Sequence, residues 1–102
     1  FREGQALLLP LGDILRFFAD GKGVSCQTAG GVYAVRQRLY ELEERLAGTE
    51  FVRASKQMLV NFDHVASIRP ALNARLQLML DNGEAVIVSR QYAPVIKRKL
   101  GL

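Results

Sequence analysis

Residues 74–88 combine an alternating apolar pattern with a strong turn signal. In "ARLQLML" (74–80) every second residue from position 76 is leucine, and "DNG" (81–83) follows directly. Apolar residues at every second position indicate a half-buried strand. Asn-Gly between two such runs is typical of a tight antiparallel hairpin, and residues 84–88 provide the returning strand. The pattern therefore predicts antiparallel β structure for this part of the chain.

The same combination of short apolar runs and Gly or Pro turns recurs through most of the sequence. Further predicted strands are Gln5–Leu9, Ile14–Phe18, Val24–Thr28, Val32–Val35, the two ends of Phe51–Asn61, and Asp63–Arg69. The connections are short, which favours antiparallel pairing over units with crossover helices.

Two segments have helical patterns instead. Leu39, Leu42 and Leu46 follow spacings of three and four, which predicts an amphipathic helix of about three turns with Gly48 as its stop. Glutamates cover its outer face, so this helix is poorly suited to a DNA groove. A second helix is predicted from about residue 91 to Leu100, with Pro94 in its first turn. The fold class is thus mostly β, with one mid-chain helix and a C-terminal helix.

Composition excludes several classes of protein. The 102 residues are 49% hydrophobic and 24% charged, which fits one globular domain. Cys26 and His64 are single, so the sequence offers neither an internal disulfide nor a zinc site, and we expect a cytoplasmic protein. No apolar run is long enough to span a bilayer. His64 follows Asp63 in a predicted turn, where an exposed or capping role suits it better than a catalytic one, so we expect no enzyme, metal or cofactor.

Positive charge is concentrated in the second half of the chain. Residues 1–50 contain six basic and seven acidic side chains, and residues 51–102 contain eight basic and three acidic ones. Such an imbalance suits a phosphate-binding surface, although a chance distribution of surface charge explains it equally well. The most informative segment is "FVRASKQMLVN" (51–61), in which hydrogen-bond donors interrupt an apolar run. We expect the chain to bulge out at the surface there.

This segment, followed by "LDNGEAVIVSRQYAPVIKRKLG" (80–101), resembles the LytTR DNA-binding domain of LytR/AlgR/AgrA-type bacterial transcriptional regulators. The matching positions are Phe51, Arg53, Ser55, Lys56, Gln57, Val60, Asn61, Gly83, Val88, Ser89 and Arg90. Residues 13–28 and 32–48 resemble the opening strands and the helix of the family. Ser55 stands where the family usually has His, and Gln57 where it usually has Ser.

The resemblance implies an elongated stack of small antiparallel sheets that binds DNA through loops and strand ends in successive major grooves. It implies DNA contacts at the loop from Lys22 to Val24, at Lys56 and at Arg90. Gly23 and Val24 offer no side-chain donor, so Lys22 is expected to touch phosphate. The full predicted DNA-binding set is Arg90, Lys56, Arg53, Ser55, Gln57, Lys22 and Lys97.

Several of these residues have an alternative role. Arg90 could instead clamp a nearby turn, Arg53 could be a half-buried structural donor, and Lys97 could compensate a helix dipole. Ser55 and Gln57 could simply be solvated. Asn61 is expected to cap a turn.

The predicted partner is double-stranded DNA, bound by a homodimer on repeated half-sites. We expect residues 1–102 to be one domain of a longer regulator, with an N-terminal effector or partner segment outside this chain. The alternative is a protein-interaction β module without nucleic-acid binding. The affinity of such a module for its partner would depend little on salt concentration. The third possibility is a protein that binds single-stranded RNA or DNA, which would need aromatic residues on an exposed sheet face.

Overall fold

The computed structural model describes residues 8–102, which contain eight strands, two α-helices and three single-turn 3-10 helices. The strands are β1 (Ile14–Asp20), β2 (Gly23–Thr28), β3 (Gly31–Val35), β4 (Phe51–Ser55), β5 (Met58–Asn61), β6 (Val65–Pro70), β7 (Leu76–Leu80) and β8 (Ala85–Val88). The helices are α1 (Leu39–Arg45) and α2 (Ala93–Lys99). The predicted strand Gln5–Leu9 falls partly outside the described residues, and positions 8 and 9 within it have no regular structure.

The strands form two antiparallel sheets. The larger sheet has the order β3-β2-β1-β5-β4, and the smaller one has the order β6-β7-β8. The chain measures 44 × 26 × 24 Å along its principal axes, so it is elongated. The predicted fold class, a mostly-β stack of small antiparallel sheets with a mid-chain and a C-terminal helix, is confirmed.

Apolar layers cover both faces of the larger sheet, and their burial is the main source of stability. The layer shared with α1 contains Ile14, Phe17, Cys26, Leu39, Leu42, Leu46, Phe51 and Leu59. The layer shared with the smaller sheet and α2 contains Leu15, Ala54, Val60, Leu76, Leu78, Leu80, Val86, Val88, Ala93 and Ile96. The second layer fixes the small sheet and α2 against β4 and β5, which carry the donor-rich segment.

Helix α1 is shorter than predicted. It covers two turns, although the three leucines of the predicted stripe, the last of them just beyond the helix, are buried as the spacing indicated. The Glu41 carboxylate accepts the Arg38 N–H at the start of the helix (2.9 Å), and the chain leaves helical geometry at Leu46. Gly48, at φ 85°, lies in the turn that follows. No helix within residues 8–102 has the length and apolar character needed to cross a membrane.

Asn61 is a buried polar residue at the end of β5, only 2% exposed. Its side-chain amide donates to the carbonyl of Ile14 (2.9 Å), and its side-chain oxygen accepts the N–H of Asp63 (3.0 Å). Both halves of the amide are therefore satisfied, as burial requires. The prediction that Asn61 caps a turn is confirmed.

Candidate nucleic-acid interface

Two hairpin turns lie side by side at one end of the larger sheet. The turn between β1 and β2 contains Lys22, and the turn between β4 and β5 contains Lys56 and Gln57. Strands β1 and β5 are antiparallel neighbours, and Ala19 N–H donates to the carbonyl of Gln57 (2.8 Å). Both turns therefore project from the same end of the sheet. Lys22, Lys56 and Gln57 are exposed, as expected for the donor-rich centre of residues 51–61.

A β-bulge connects this end of the larger sheet to the smaller sheet. Arg53 pairs with Leu59 and Ser55 pairs with Met58, so Ala54 is the extra residue between them. The carbonyl of Ala54 accepts the N–H of Ser89 (2.9 Å), the residue that follows β8. This bond fixes the turn that carries Arg90 next to the turn that carries Lys56.

An open cleft lies between the two sheets at this end. Its walls are formed by Ser55, Lys56, Gln57, Asn73, Arg75, Ser89, Arg90 and Gln91. Lys56 and Arg90 are both exposed and both line the cleft, although 33 positions separate them in the sequence. The predicted juxtaposition of these two cations is therefore present in the structure.

Asn73 and Arg75 line the cleft but were not predicted as site residues. Both are exposed, and both precede β7 in the connection from β6. The register of the last hairpin contains a signal that identifies Arg75. Leu76 pairs with Val88, so Arg75, one residue before β7, is level with Ser89 and next to the turn that carries Arg90. Counting outward from the Asp-Asn-Gly turn gives the same pairing from the sequence.

Arg53 uses its guanidinium within the protein. Its Nε donates to the carbonyl of Ser55 (2.8 Å), and one terminal nitrogen donates to the carbonyl of Lys56 (3.0 Å). The other terminal nitrogen forms an ion pair with Glu43 (3.1 Å), and the side chain is only 15% exposed. These contacts favour the structural alternative, in which Arg53 holds the turn that presents Lys56.

A substitution distinguishes that role from phosphate binding. Lysine keeps the charge of Arg53 but lacks the planar fork that spans two carbonyls. If Arg53 positions the turn, Arg53→Lys should lose nearly as much DNA affinity as Arg53→Ala, and each should lower the free energy of unfolding by about 1–3 kcal/mol. Fluorescence titration and urea unfolding measure the two quantities. A lysine variant with wild-type affinity would indicate a simple phosphate contact.

The other predicted site residues lie outside the cleft. Lys22 is exposed at the neighbouring turn, where its N–H donates to the Asp20 carboxylate (2.8 Å). Lys97 is exposed on α2, which leads away from the cleft. Lys99, farther along the same helix, forms an ion pair with Glu50 (3.2 Å) before β4. The structure thus brings Arg90, Lys56, Ser55 and Gln57 together and leaves Lys22 and Lys97 on the flanks.

Charge is separated along the direction of the strands. The residues at the cleft end include Lys22, Arg36, Lys56, Arg69, Arg75 and Arg90, together with Asp20. The residues at the opposite end include Asp13, Glu50, Asp63, Asp81 and Glu84, of which Glu50 is ion-paired with Lys99 and Glu84 with Arg16. The cleft end therefore has the larger excess of positive charge, which would attract a polyanion.

At the acidic end, His64 connects three separate segments. Its Nδ1 is 2.7 Å from the Asp81 carboxylate after β7, and its Nε2 is 2.6 Å from the carbonyl of Gly12 before β1. Both partners are acceptors, so both ring nitrogens donate best when the imidazole is protonated. The Gly12 carbonyl and the Asp81 side chain accordingly raise the pKa of His64.

This geometry predicts a pH-dependent stability. A histidine whose pKa is higher in the folded state stabilises the fold fully below its unfolded value of about 6.5, and loses that contribution as pH rises through the folded value. We therefore expect the free energy of unfolding to fall above about pH 6.5 in the wild type. His64→Gln should remove that fall, because glutamine does not titrate, as measured by urea unfolding between pH 5 and 9. A wild-type curve that rises over this range would contradict the assignment.

Comparisons with known proteins agree with this architecture. The profile of the LytTr DNA-binding domain family matches residues 4–101. The sensory transduction protein LytT of Enterococcus faecalis is 31% identical over 98% of this chain and 41% of its own length. An uncharacterized HTH-type transcriptional regulator of Staphylococcus aureus is 27% identical over 93% of this chain and 64% of its own length.

A solved LytTr DNA-binding domain from Bacillus cereus has a similar structure. The two superpose with a TM-score of 0.87 at 28% identity, over 92% of this chain and 86% of the other. The chain spans about two fifths of the length of the LytT relatives it matches. A profile match over almost the whole chain, with the same fold in a solved member, confirms the predicted resemblance. The chain belongs to the LytTR family of DNA-binding domains.

Proposed function

We propose that this domain binds double-stranded DNA in a sequence-specific manner as the DNA-binding part of a bacterial transcriptional regulator. The observation that carries the proposal is the cleft at the basic end of the molecule, which Lys56 and Arg90 line from turns of two different sheets. Family membership supports the same conclusion. Loops and strand ends, not a helix, enter the major groove in this proposal.

The helices are poorly suited to groove binding. Glu43 and Glu44 are exposed on α1, and their carboxylates would repel the DNA backbone. Helix α2 buries Ala93 and Ile96 against the core and directs Lys99 to Glu50. The major groove of B-DNA is about 12 Å wide, enough to admit a two-stranded ribbon. The hairpin turn with Lys56 and the turn with Arg90 are elements of that size.

Each side chain of the cleft has a distinct proposed role. Arg90 donates its guanidinium fork to the O6 and N7 acceptors of a guanine, the commonest specific contact in the major groove. Lys56 contacts a base edge or an adjacent phosphate as a compact charge. Ser55 and Gln57 donate to phosphate oxygens and fix the orientation of the turn on the duplex.

Residues on the flanks extend the phosphate contacts. Lys22 reaches the backbone from the neighbouring turn, and Lys97 reaches it from α2. Arg53 is assigned a positioning role, because its donors already bind the carbonyls of Ser55 and Lys56.

The domain is proposed to act as one part of a longer cytoplasmic regulator, on two copies of a repeated half-site. Relatives such as LytT are more than twice as long as the matched region, which leaves room for a segment that receives a signal. Two domains on one duplex would double the number of base contacts, and each contact set would face the same side if the half-sites are about one helical turn apart.

A binding selection tests the proposal. The 102-residue chain is mixed with a pool of random duplexes at two salt concentrations, and the bound fraction is sequenced. We expect an enriched motif, and an affinity that falls steeply with salt, with a logarithmic slope of about −3 if three or four phosphates are contacted. Failure to enrich any motif, or an affinity insensitive to salt, would refute the proposal. The second result would favour a protein-interaction module.

A further inference from the structure

The connection between β6 and β7 has an unusual backbone for its composition. Asn73 and Ala74 both adopt left-handed φ values, 61° and 62°, with no glycine at either position. Asparagine tolerates this region moderately well, whereas alanine does so at a conformational cost. The loop is closed by a hydrogen bond from the Ala71 N–H to the Arg75 carbonyl (2.9 Å). The strained turn is therefore held in one defined shape.

This loop faces the cleft. Asn73 and Arg75 line it together with Lys56 and Arg90. Leu72, at the start of the turn, is 83% exposed, so the tip projects into solvent beside the basic end. A strained backbone that presents polar side chains at a binding surface is a recognised way of fixing their direction in advance.

We infer that residues 71–75 form a third DNA-contacting loop, in which Asn73 contacts a base and Arg75 contacts a phosphate. The inference rests on the proposed function, since it assigns further residues to the same cleft. The amide of Asn73 can donate an N–H to N7 of adenine and accept a hydrogen bond from its N6 amino group in the major groove. Arg75 lies at the foot of the loop beside β7, where its charge neutralises the DNA backbone that passes the cleft.

The backbone at these two positions allows substitutions that separate chemistry from conformation. Asn73→Gly removes the amide but accepts the left-handed φ without steric strain. Ala74→Gly relaxes the neighbouring residue and removes no functional group. Arg75→Ala removes one cation, and Arg45→Ala removes an exposed arginine on α1 that does not line the cleft.

The test repeats the selection from random duplexes with each variant, beside the wild type and Arg90→Ala. We expect Asn73→Gly to lose the preference at one adenine position by roughly 5- to 150-fold and to keep the preference at the guanine contacted by Arg90. Arg75→Ala should weaken binding to all duplexes alike and reduce the salt slope by about 1, whereas Arg45→Ala should leave both unchanged. Ala74→Gly should select the same bases with a lower affinity, because it removes no contacting group but loosens the loop.

The outcomes separate the two proposals. If the wild type selects a motif that requires Arg90 but Asn73→Gly selects the same motif with the same affinity, the base contact of Asn73 is refuted. The proposed function stands in that case. If Arg75→Ala and Arg45→Ala have equal effects, the phosphate contact of Arg75 is refuted. If the wild type selects no motif, both the proposed function and the third loop are overturned. Circular dichroism and urea unfolding of each variant show that the fold is retained.

Discussion

Replacing Arg90 with alanine is expected to abolish most of the sequence preference of the domain. Arg90 is exposed at the cleft, and a guanidinium fork that binds guanine O6 and N7 discriminates against other bases by roughly 5- to 150-fold. The loss should appear as a lower affinity for the selected duplex and a nearly unchanged affinity for an unrelated duplex. Fluorescence titration of both duplexes at one salt concentration measures this ratio.

Lys97→Ala provides the matched control. Lys97 is an exposed cation on α2 outside the cleft, so its removal should weaken both duplexes equally and make the salt dependence shallower. Arg90→Lys is a second control, since it keeps the charge but not the fork. Equal losses for Arg90→Ala and Lys97→Ala on both duplexes would contradict the division between base and phosphate contacts.

Replacing Ile96 with alanine is expected to have the largest effect on stability. Ile96 is fully buried on the inner face of α2, in the apolar layer that joins the two sheets behind the cleft. Truncation of a buried isoleucine to alanine costs about 2–5 kcal/mol, because contacts are lost and a cavity remains. The measurement is the free energy of unfolding in urea. At the upper end of this range, much of a small domain's stability would be lost.

The preceding residue on the same helix is the control for this substitution. Val95 is 40% exposed, so Val95→Ala should change the free energy of unfolding by less than about 1 kcal/mol. DNA affinity measured well below the unfolding transition should remain close to wild type for both variants. Equal losses of stability for Ile96→Ala and Val95→Ala would contradict the assigned packing of α2.

Local patterns predicted most of the fold because its elements are short and clearly separated by turns. The leucines of residues 74–80 and the Asp-Asn-Gly turn predicted β7 and the hairpin correctly. The length of α1 was wrong by about one turn, because Leu46 belongs to the apolar stripe but follows the end of the helix. Periodicity identifies which residues are buried, and does not state where the backbone leaves helical geometry.

The cleft was only partly predictable. Lys56 and Arg90 were identified through the family motif, and their proximity depends on the hydrogen bond between Ser89 and Ala54, which no local pattern contains. The three internal contacts of Arg53 likewise require the folded turn. Asn73 resembled an ordinary turn residue, and only the tertiary arrangement of the sheets places it at the cleft.

The loops at the basic end of the molecule are proposed to form the surface that contacts DNA. This is tested directly by titrating the ¹⁵N-labelled chain with its selected duplex and measuring the change in each amide chemical shift. The predicted result is a set of large shifts at residues 22–24, 55–57, 72–75 and 89–91, with small shifts around His64 and Asp81. Large shifts on α1 or at the His64–Asp81 end, with none at the cleft, would contradict it.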